Sequence, residues 1–348
     1  MEKTKRIGWI DSAKGILICL VVLGHIISDS NIPLQNWIYS FHIPAFLILE
    51  GITVSITESL NRDFREFIKR NLSGLIYPYV VFSVLFLLRS FIQYAVGSLS
   101  LIQIGNYFLM LISFCGVGIL WFLPTLFCAK LLFYITYKRK LYAIFGVVFI
   151  ASLSICVFAQ QVINCDSNIF SLSSVIVFGF RSILAAGFIS VGYFIFSLYK
   201  KLTIKRYIMF VTYIVCAVVS VVFYRFNGTV DLHIMLLHNP ILYLVFAISG
   251  GISIFGVARV LARSKVLLLW GKNSIVIMLT HTIFGVYKIV LILCEKVVSF
   301  YPLIIAFSFI VVMAVESLLI LIIMKKFNWL IKPSFSLSRK VDDRNEFN

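Results

Sequence analysis

His25 and His42 stand inside the first two strongly apolar segments of the chain, and their spacing puts them at one depth. Ionisable side chains at membrane depth are costly, so they mark candidate functional sites. Trp9 to Ser28 reads as one membrane-spanning helix and Trp37 to Thr57 as the next, running back, which carries both imidazoles toward the same face of the bilayer. A neutral imidazole there suits proton abstraction from a poor nucleophile such as a hydroxyl. His25 is the expected general base. His42 is expected to orient the nucleophile, stabilise charge or hold His25 in the correct tautomer, with a covalent intermediate on histidine as the second route.

Lys14 precedes His25 by eleven positions, about three helical turns and about 16 Å along the axis, so the two share a face. A long carrier with phosphates at one end and a thioester at the other fits that separation. Asp11 lies three positions before Lys14 and is expected to orient it. Glu50 follows His42 by eight positions, about 12 Å deeper, and a Lys14–Glu50 ion pair is expected. Arg89, Lys130 and Arg181 are further charges within spans and candidates for lining a cavity. No grouping of His, Cys and carboxylates has zinc-ligand spacing and no GxxxxGK[ST] loop occurs, so no metal site is expected.

These residues need an apolar frame. The 348 residues are 61% hydrophobic with a mean hydropathy of +1.02, well above the usual apolar share of about half in soluble domains. The predicted fold class is all-α: a polytopic membrane helical bundle of about ten spans, with both termini cytoplasmic. The net charge of +17 sits in short patches between apolar runs, the signature of cytoplasmic loops. Anionic membrane lipids are therefore its expected partners, and nucleic acid is not. Basic clusters at 62–70, 138–140, 200–206, 259–265 and 325–326 occupy every second loop. Residues 1–332 form the membrane domain and 333–348 a polar cytoplasmic tail. Leu101 to Phe114 is too short for a full span, His238 to Ala258 reads as one span, and Trp270 to Leu291 as another.

Val21-Val22-Leu23-Gly24-His25 and Ser40-Phe41-His42-Ile43-Pro44, taken with Arg6, Asp11-Ser12-Ala13-Lys14-Gly15 and Gly51, resemble the acyltransferase 3 family of integral membrane acyltransferases. Among its members the chain looks most like the short ones described as fucose 4-O-acetylase-like. Leu120-Trp121-Phe122-Leu123, the region around His238-Asn239-Pro240, and Trp270-Gly271-Lys272-Asn273-Ser274 leading to Thr280-His281 extend the resemblance over most of the chain. It implies transfer of an acyl group, usually acetyl from cytosolic acetyl-CoA, to a hydroxyl of a cell-surface polysaccharide or lipid-linked glycan, in a bacterial inner membrane.

Lys14 takes the place of the basic residue in the family's R/K-x10-H pattern, and His25 that of its essential histidine. Lys14 and Arg70 would meet the CoA phosphates, and Trp121, Asn273, Ser274 and His281 would border the acyl or acceptor path. Two positions depart from the family: Ser73 stands where a second arginine often follows Arg70, and Glu50 where serine often precedes the glycine. The rival reading is a transporter or flippase of a lipid-linked glycan, whose buried charges would line a passage.

Overall fold

The computed structural model describes residues 7–27, 33–162 and 169–333. Lys3, Lys5 and Arg6, most of the loop after the first span, and the tail from 334 lie outside the described residues. The chain runs through helices α1 (Gly8–Ile26), α2 (Pro33–Tyr39), α3 (His42–Ile56), α4 (Phe64–Asn71), α5 (Tyr77–Ala95), α6 (Leu101–Ile112), α7 (Phe122–Lys138) and α8 (Tyr142–Val162). It continues through α9 (Leu172–Lys201), α10 (Arg206–Phe223), α11 (Pro240–Val260), α12 (Lys265–Lys272), α13 (Ser274–Ile283), α14 (Val286–Val297) and α15 (Tyr301–Lys326). No strand occurs among the described residues, only an isolated bridge between Asp231 and Leu236.

Eight helical stretches among the described residues are long and apolar enough to cross a membrane, nine if the bent pair α12–α13 is one span. Helix α8 has 21 residues of apolar sequence, or about 31 Å of rise. The result is the expected polytopic helical bundle. Its outer surface is apolar, as at Val80, Val84 and Leu88 on α5 and along nearly all of α10, where water would be excluded by lipid rather than by protein.

The sequence-predicted span Trp270 to Leu291 is instead three helices. α12 and α13 meet at Asn273 with a 72° bend, and α13 is divided from α14 at Gly285, whose φ of +68° is a left-handed conformation that an L side chain resists. Asn273 donates from its side-chain nitrogen to Leu269 O at 2.9 Å, satisfying a carbonyl exposed at the break. Arg89 serves the other end, donating to Thr282 O at 3.1 Å and Ile283 O at 2.8 Å. It caps a helix and does not line the cavity. α11 starts at Pro240 with Asn239 as its cap, so His238 is an exposed loop residue and not the head of a span.

Two helix crossings fix the centre. On α3 and α9, a methyl at Gly51 would overlap the backbone oxygen of Ile189, and one at Gly192 the oxygen of Ile48. On α1 and α12, Gly271 meets Asp11 O and Gly15 meets Leu267 O in the same reciprocal way. In lipid, where apolar burial does not drive helices together, this close approach supplies the packing. Gly51→Val and Gly271→Val are therefore expected to destabilise by about 1–3 kcal/mol or more through overpacking. Gly105→Ala, with open space around it, should be neutral or slightly stabilising. Thermal midpoints in detergent, read by fluorescence-detected gel filtration, check the contrast.

Candidate active site

α1, α3 and α7 surround one cavity of about 490 Å³, closed by α4, the α4–α5 junction, α13 and the segment between α10 and α11. Of the candidate residues, Lys14, His25, His42, Glu50, Arg70, Trp121 and Ser274 line it. Asp11, Asn273 and His281 do not. Asp11 lies where α1 crosses α12, Asn273 stabilises the helix break, and His281 stands behind His25.

The lining is chemically polarised. His25 lies in the last turn of α1, His42 at the start of α3 and Trp121 at the head of α7. Lys14, Glu50 and Lys130 lie eleven, eight and nine residues away on the same three helices. At 1.5 Å per residue, the two sets are about 12–16 Å apart on each helix. One end is therefore cationic and the other is histidine-rich.

At the cationic end Lys130 Nζ and Glu50 Oε1 are 2.6 Å apart with both side chains mostly buried. This corrects the expected Lys14–Glu50 pair: Lys14 acts on Glu50 electrostatically, but the ion pair within 4.0 Å belongs to Lys130. Helical spacing gave the right depth for Glu50 and could not say which neighbouring helix supplied its cation. Asp11 and Lys14 likewise form none of the ion pairs among the described residues. Nearer the loop, Arg70 and Arg62 share Glu66 at 2.8 and 4.0 Å. Burial, then the charge of Arg70, hold the Arg62 guanidinium below its ordinary range while Glu66 pulls the other way. Arg62 thus brings a second guanidinium beside Arg70 on the cavity wall.

At the other end four of the five histidines gather. The rings of His25 and His281 are 5.2 Å apart, with Tyr287 5.8 Å from His25. His42 is 5.1 Å from Tyr39. His25 is within electrostatic reach of His42, His233 and His281. His42 Nδ1 lies 2.8 Å from Ile38 O, and His281 Nδ1 2.6 Å from Ile277 O. A carbonyl oxygen only accepts, so each Nδ1 carries the hydrogen and donates it. In the neutral ring the basic nitrogen is then Nε2. Behind His281, the buried Glu316 on α15 meets the hydroxyl of Thr280.

His233 and Asp231 are the residues that sequence reasoning missed. They lie between α10 and α11 with no periodic pattern to announce them, yet both line the cavity. The His233 ring stacks on Trp121 at 5.7 Å and 12°. Burial, and then the charge of Arg181, push its pKa down to about 3, leaving the ring neutral. Arg181 itself is buried and does not line the cavity. It donates from Nε to Thr125 Oγ1, from Nη1 to His233 O and from Nη2 to Cys115 O, each at 2.8–2.9 Å, and sits 4.6 Å from the Trp121 ring centre.

Among the described residues no group of three or more His, Cys, Asp or Glu is arranged to hold a metal ion. A family model described as an acyltransferase domain, Acyl_transf_3, matches residues 7–322. No curated protein and no solved structure matches the chain.

The Glu50–Lys130 pair makes a direct prediction. Removing one partner strands a charge in the interior, so Lys130→Met and Glu50→Gln should each destabilise by about 3 kcal/mol. The double variant should recover most of that loss, giving a large coupling energy in a double-mutant cycle read from unfolding in mixed micelles. Lys14→Met, beyond ion-pair distance, should cost less than either single change.

Proposed function

The chain belongs to the acyltransferase 3 family, and from that membership we propose that it moves acetyl from acetyl-CoA to a hydroxyl of a cell-surface polysaccharide or lipid-linked glycan. It is a multi-pass membrane acyltransferase; the family membership sets aside the transporter reading. The donor, the acceptor and the setting in a bacterial inner membrane are the proposal.

One observation carries it: a single cavity with cations at one end and imidazoles at the other, about 12–16 Å apart. CoA is a molecule of that form. Lys14, with Arg70 and Arg62 at the mouth, would hold its phosphates, while the flexible thiol arm would run toward His25 between Ile18, Val21, Phe46 and Met278. The basic loops beside the cationic end favour the cytosolic side for it by the positive-inside rule, where acetyl-CoA would be available.

In the transfer step, the acceptor hydroxyl gives its proton to the basic ring nitrogen of His25 as its oxygen attacks the thioester carbonyl. The new C–O bond forms, the C–S bond breaks on collapse of the tetrahedral intermediate, and the departing thiolate takes the proton from the imidazolium as free CoA. His42 orients the acceptor and stabilises developing charge. Its locked tautomer, with Nε2 as the basic nitrogen, favours a second reading in which His42 is the base and His25 the supporting ring.

Transfer of radiolabelled acetyl from acetyl-CoA to surface glycan in membranes tests these assignments at matched expression. His25→Ala is expected to lower transfer by about 10²–10⁴-fold, the scale of general-base catalysis, with acetyl-CoA binding kept. Lys14→Ala should raise the KM for acetyl-CoA and leave kcat closer to normal. Equal labelling by wild type and His25→Ala would remove His25 from the role, and full loss in His42→Ala alone would transfer it to His42.

A further inference from the structure

We propose that the segment 228–237 between α10 and α11 is the acceptor-binding wall of the cavity, with Asp231 and the His233 ring gripping the hydroxyl groups of a polyhydroxylated, sugar-like ligand. The inference rests on the acyl-transfer reading and assigns its second substrate a place.

The segment is not a free surface loop. Asp231 and Leu236 exchange both backbone hydrogen bonds, at 3.0 and 2.7 Å, which closes it into a narrow turn. Within the turn, Asp231 Oδ1 accepts from the His233 backbone N–H at 2.8 Å. Arg181 Nη1 donates to the His233 carbonyl and Trp121 packs on the ring, so one buried guanidinium holds both the turn and the aromatic it rests on. Met235 and Leu237 are buried beneath, while Val230 and Leu232 border the cavity between and beside the two polar side chains. The turn is thus a rigid plug that presents two polar side chains to the cavity, the arrangement a binding site requires and a mere connector does not.

Charge decides what it can bind. The cavity wall has four Lys or Arg side chains, Lys14, Arg62, Arg70 and Lys130, all at the opposite end. Its carboxylates among the described residues are Glu50, committed to Lys130, and Asp231, which accepts from main-chain N–H groups of its own turn and feels the charge of Arg181 buried behind that turn. The Arg181 guanidinium is engaged with Thr125, His233 O and Cys115 O and does not reach the cavity, so what the wall offers there is a carboxylate, which accepts hydrogen bonds. It therefore suits a ligand that donates, and adjacent sugar hydroxyls do so. The phosphates of a nucleotide-bearing donor are turned away from this end and held at the other. The same polarity that seats the donor selects the acceptor and directs its hydroxyl toward His25 and His42. The loop lies on the side opposite the basic loops, so the acceptor enters from outside.

The test uses the full-length protein in lipid nanodiscs, with radiolabelled acetyl-CoA as donor and the lipid-linked glycan fraction of the producing membranes as acceptor. Asp231→Asn should raise the acceptor KM by about tenfold, the loss of a hydrogen bond to a charged group. Acetyl-CoA binding should stay within about twofold, and kcat at saturating acceptor should change less than KM. Asp231→Glu, which keeps the charge, should recover part of the effect. His233→Gln provides an independent variant should the turn fail to form without its carboxylate. An unchanged acceptor KM in both variants, or acetyl-CoA binding that weakens in step with transfer, overturns the assignment. A wild-type protein that neither binds acetyl-CoA nor labels glycan overturns the underlying transfer reading instead.

Discussion

Arg181 lies inside a bundle whose outer surface faces lipid, and the cavity takes its shape from what that guanidinium must find in place of water. A buried cation is tolerated only with its donors satisfied and its charge spread. Arg181 answers with three hydrogen bonds to three separate segments and a face-on contact with Trp121. The Thr125 hydroxyl that accepts from it donates in turn to Trp121 O, extending the network into the first turn of α7. The plane of the indole, the position of His233 and the path of the chain through Cys115 are therefore one construction. Lysine could not replace it, because a point charge cannot reach three acceptors in a planar fan.

The cationic end obeys the same constraint with a different solution. Desolvating a lone carboxylate at the depth of Glu50 would be prohibitive, and Lys130 offsets that cost at contact distance while Lys14 adds a longer-range attraction. This leaves Lys14 without a carboxylate in contact among the described residues, so its ammonium faces the cavity rather than being consumed by it. Glu50 thereby fixes which of the two lysines is structural and which is open to a ligand.

Much of this was legible in the chain because helix periodicity and the cost of burying charge act locally. Lys14 and His25 share a face by arithmetic alone, and His25, His42, Glu50, Arg70, Trp121 and Ser274 do line one cavity. What escaped was long-range. The partner of Glu50 is 80 residues away on α7, and no pattern along α3 names the helix beside it. Asp231 and His233 sit in an irregular turn, where neither period nor hydropathy carries information, and only Arg181, itself unexplained as a lone charge in a span, pointed toward them. The break at Asn273 was hidden for the opposite reason: Trp270 to Leu291 is apolar enough to read as continuous, while a side-chain amide and a left-handed glycine divide it.

The polarity of the cavity also bears on how a reaction could join a cytosolic donor to an outer acceptor. Moving a nucleotide's phosphates through a low-dielectric interior would expose several charges to the full cost of desolvation. With the Lys and Arg side chains of the wall at one end and imidazoles at the other, the charged part of a donor has no reason to leave the mouth formed by Arg62, Arg70 and Lys14. Only an uncharged acyl arm has to travel the separation between Lys14 and His25, along a wall of Ile18, Val21, Phe46 and Met278 that favours it. Transfer from one side of the membrane to the other then needs no inward–outward alternation of the bundle. The reciprocal glycine contacts that lock α1 to α12 and α3 to α9 fit such a rigid frame, because they hold the two ends of the ruler at constant separation.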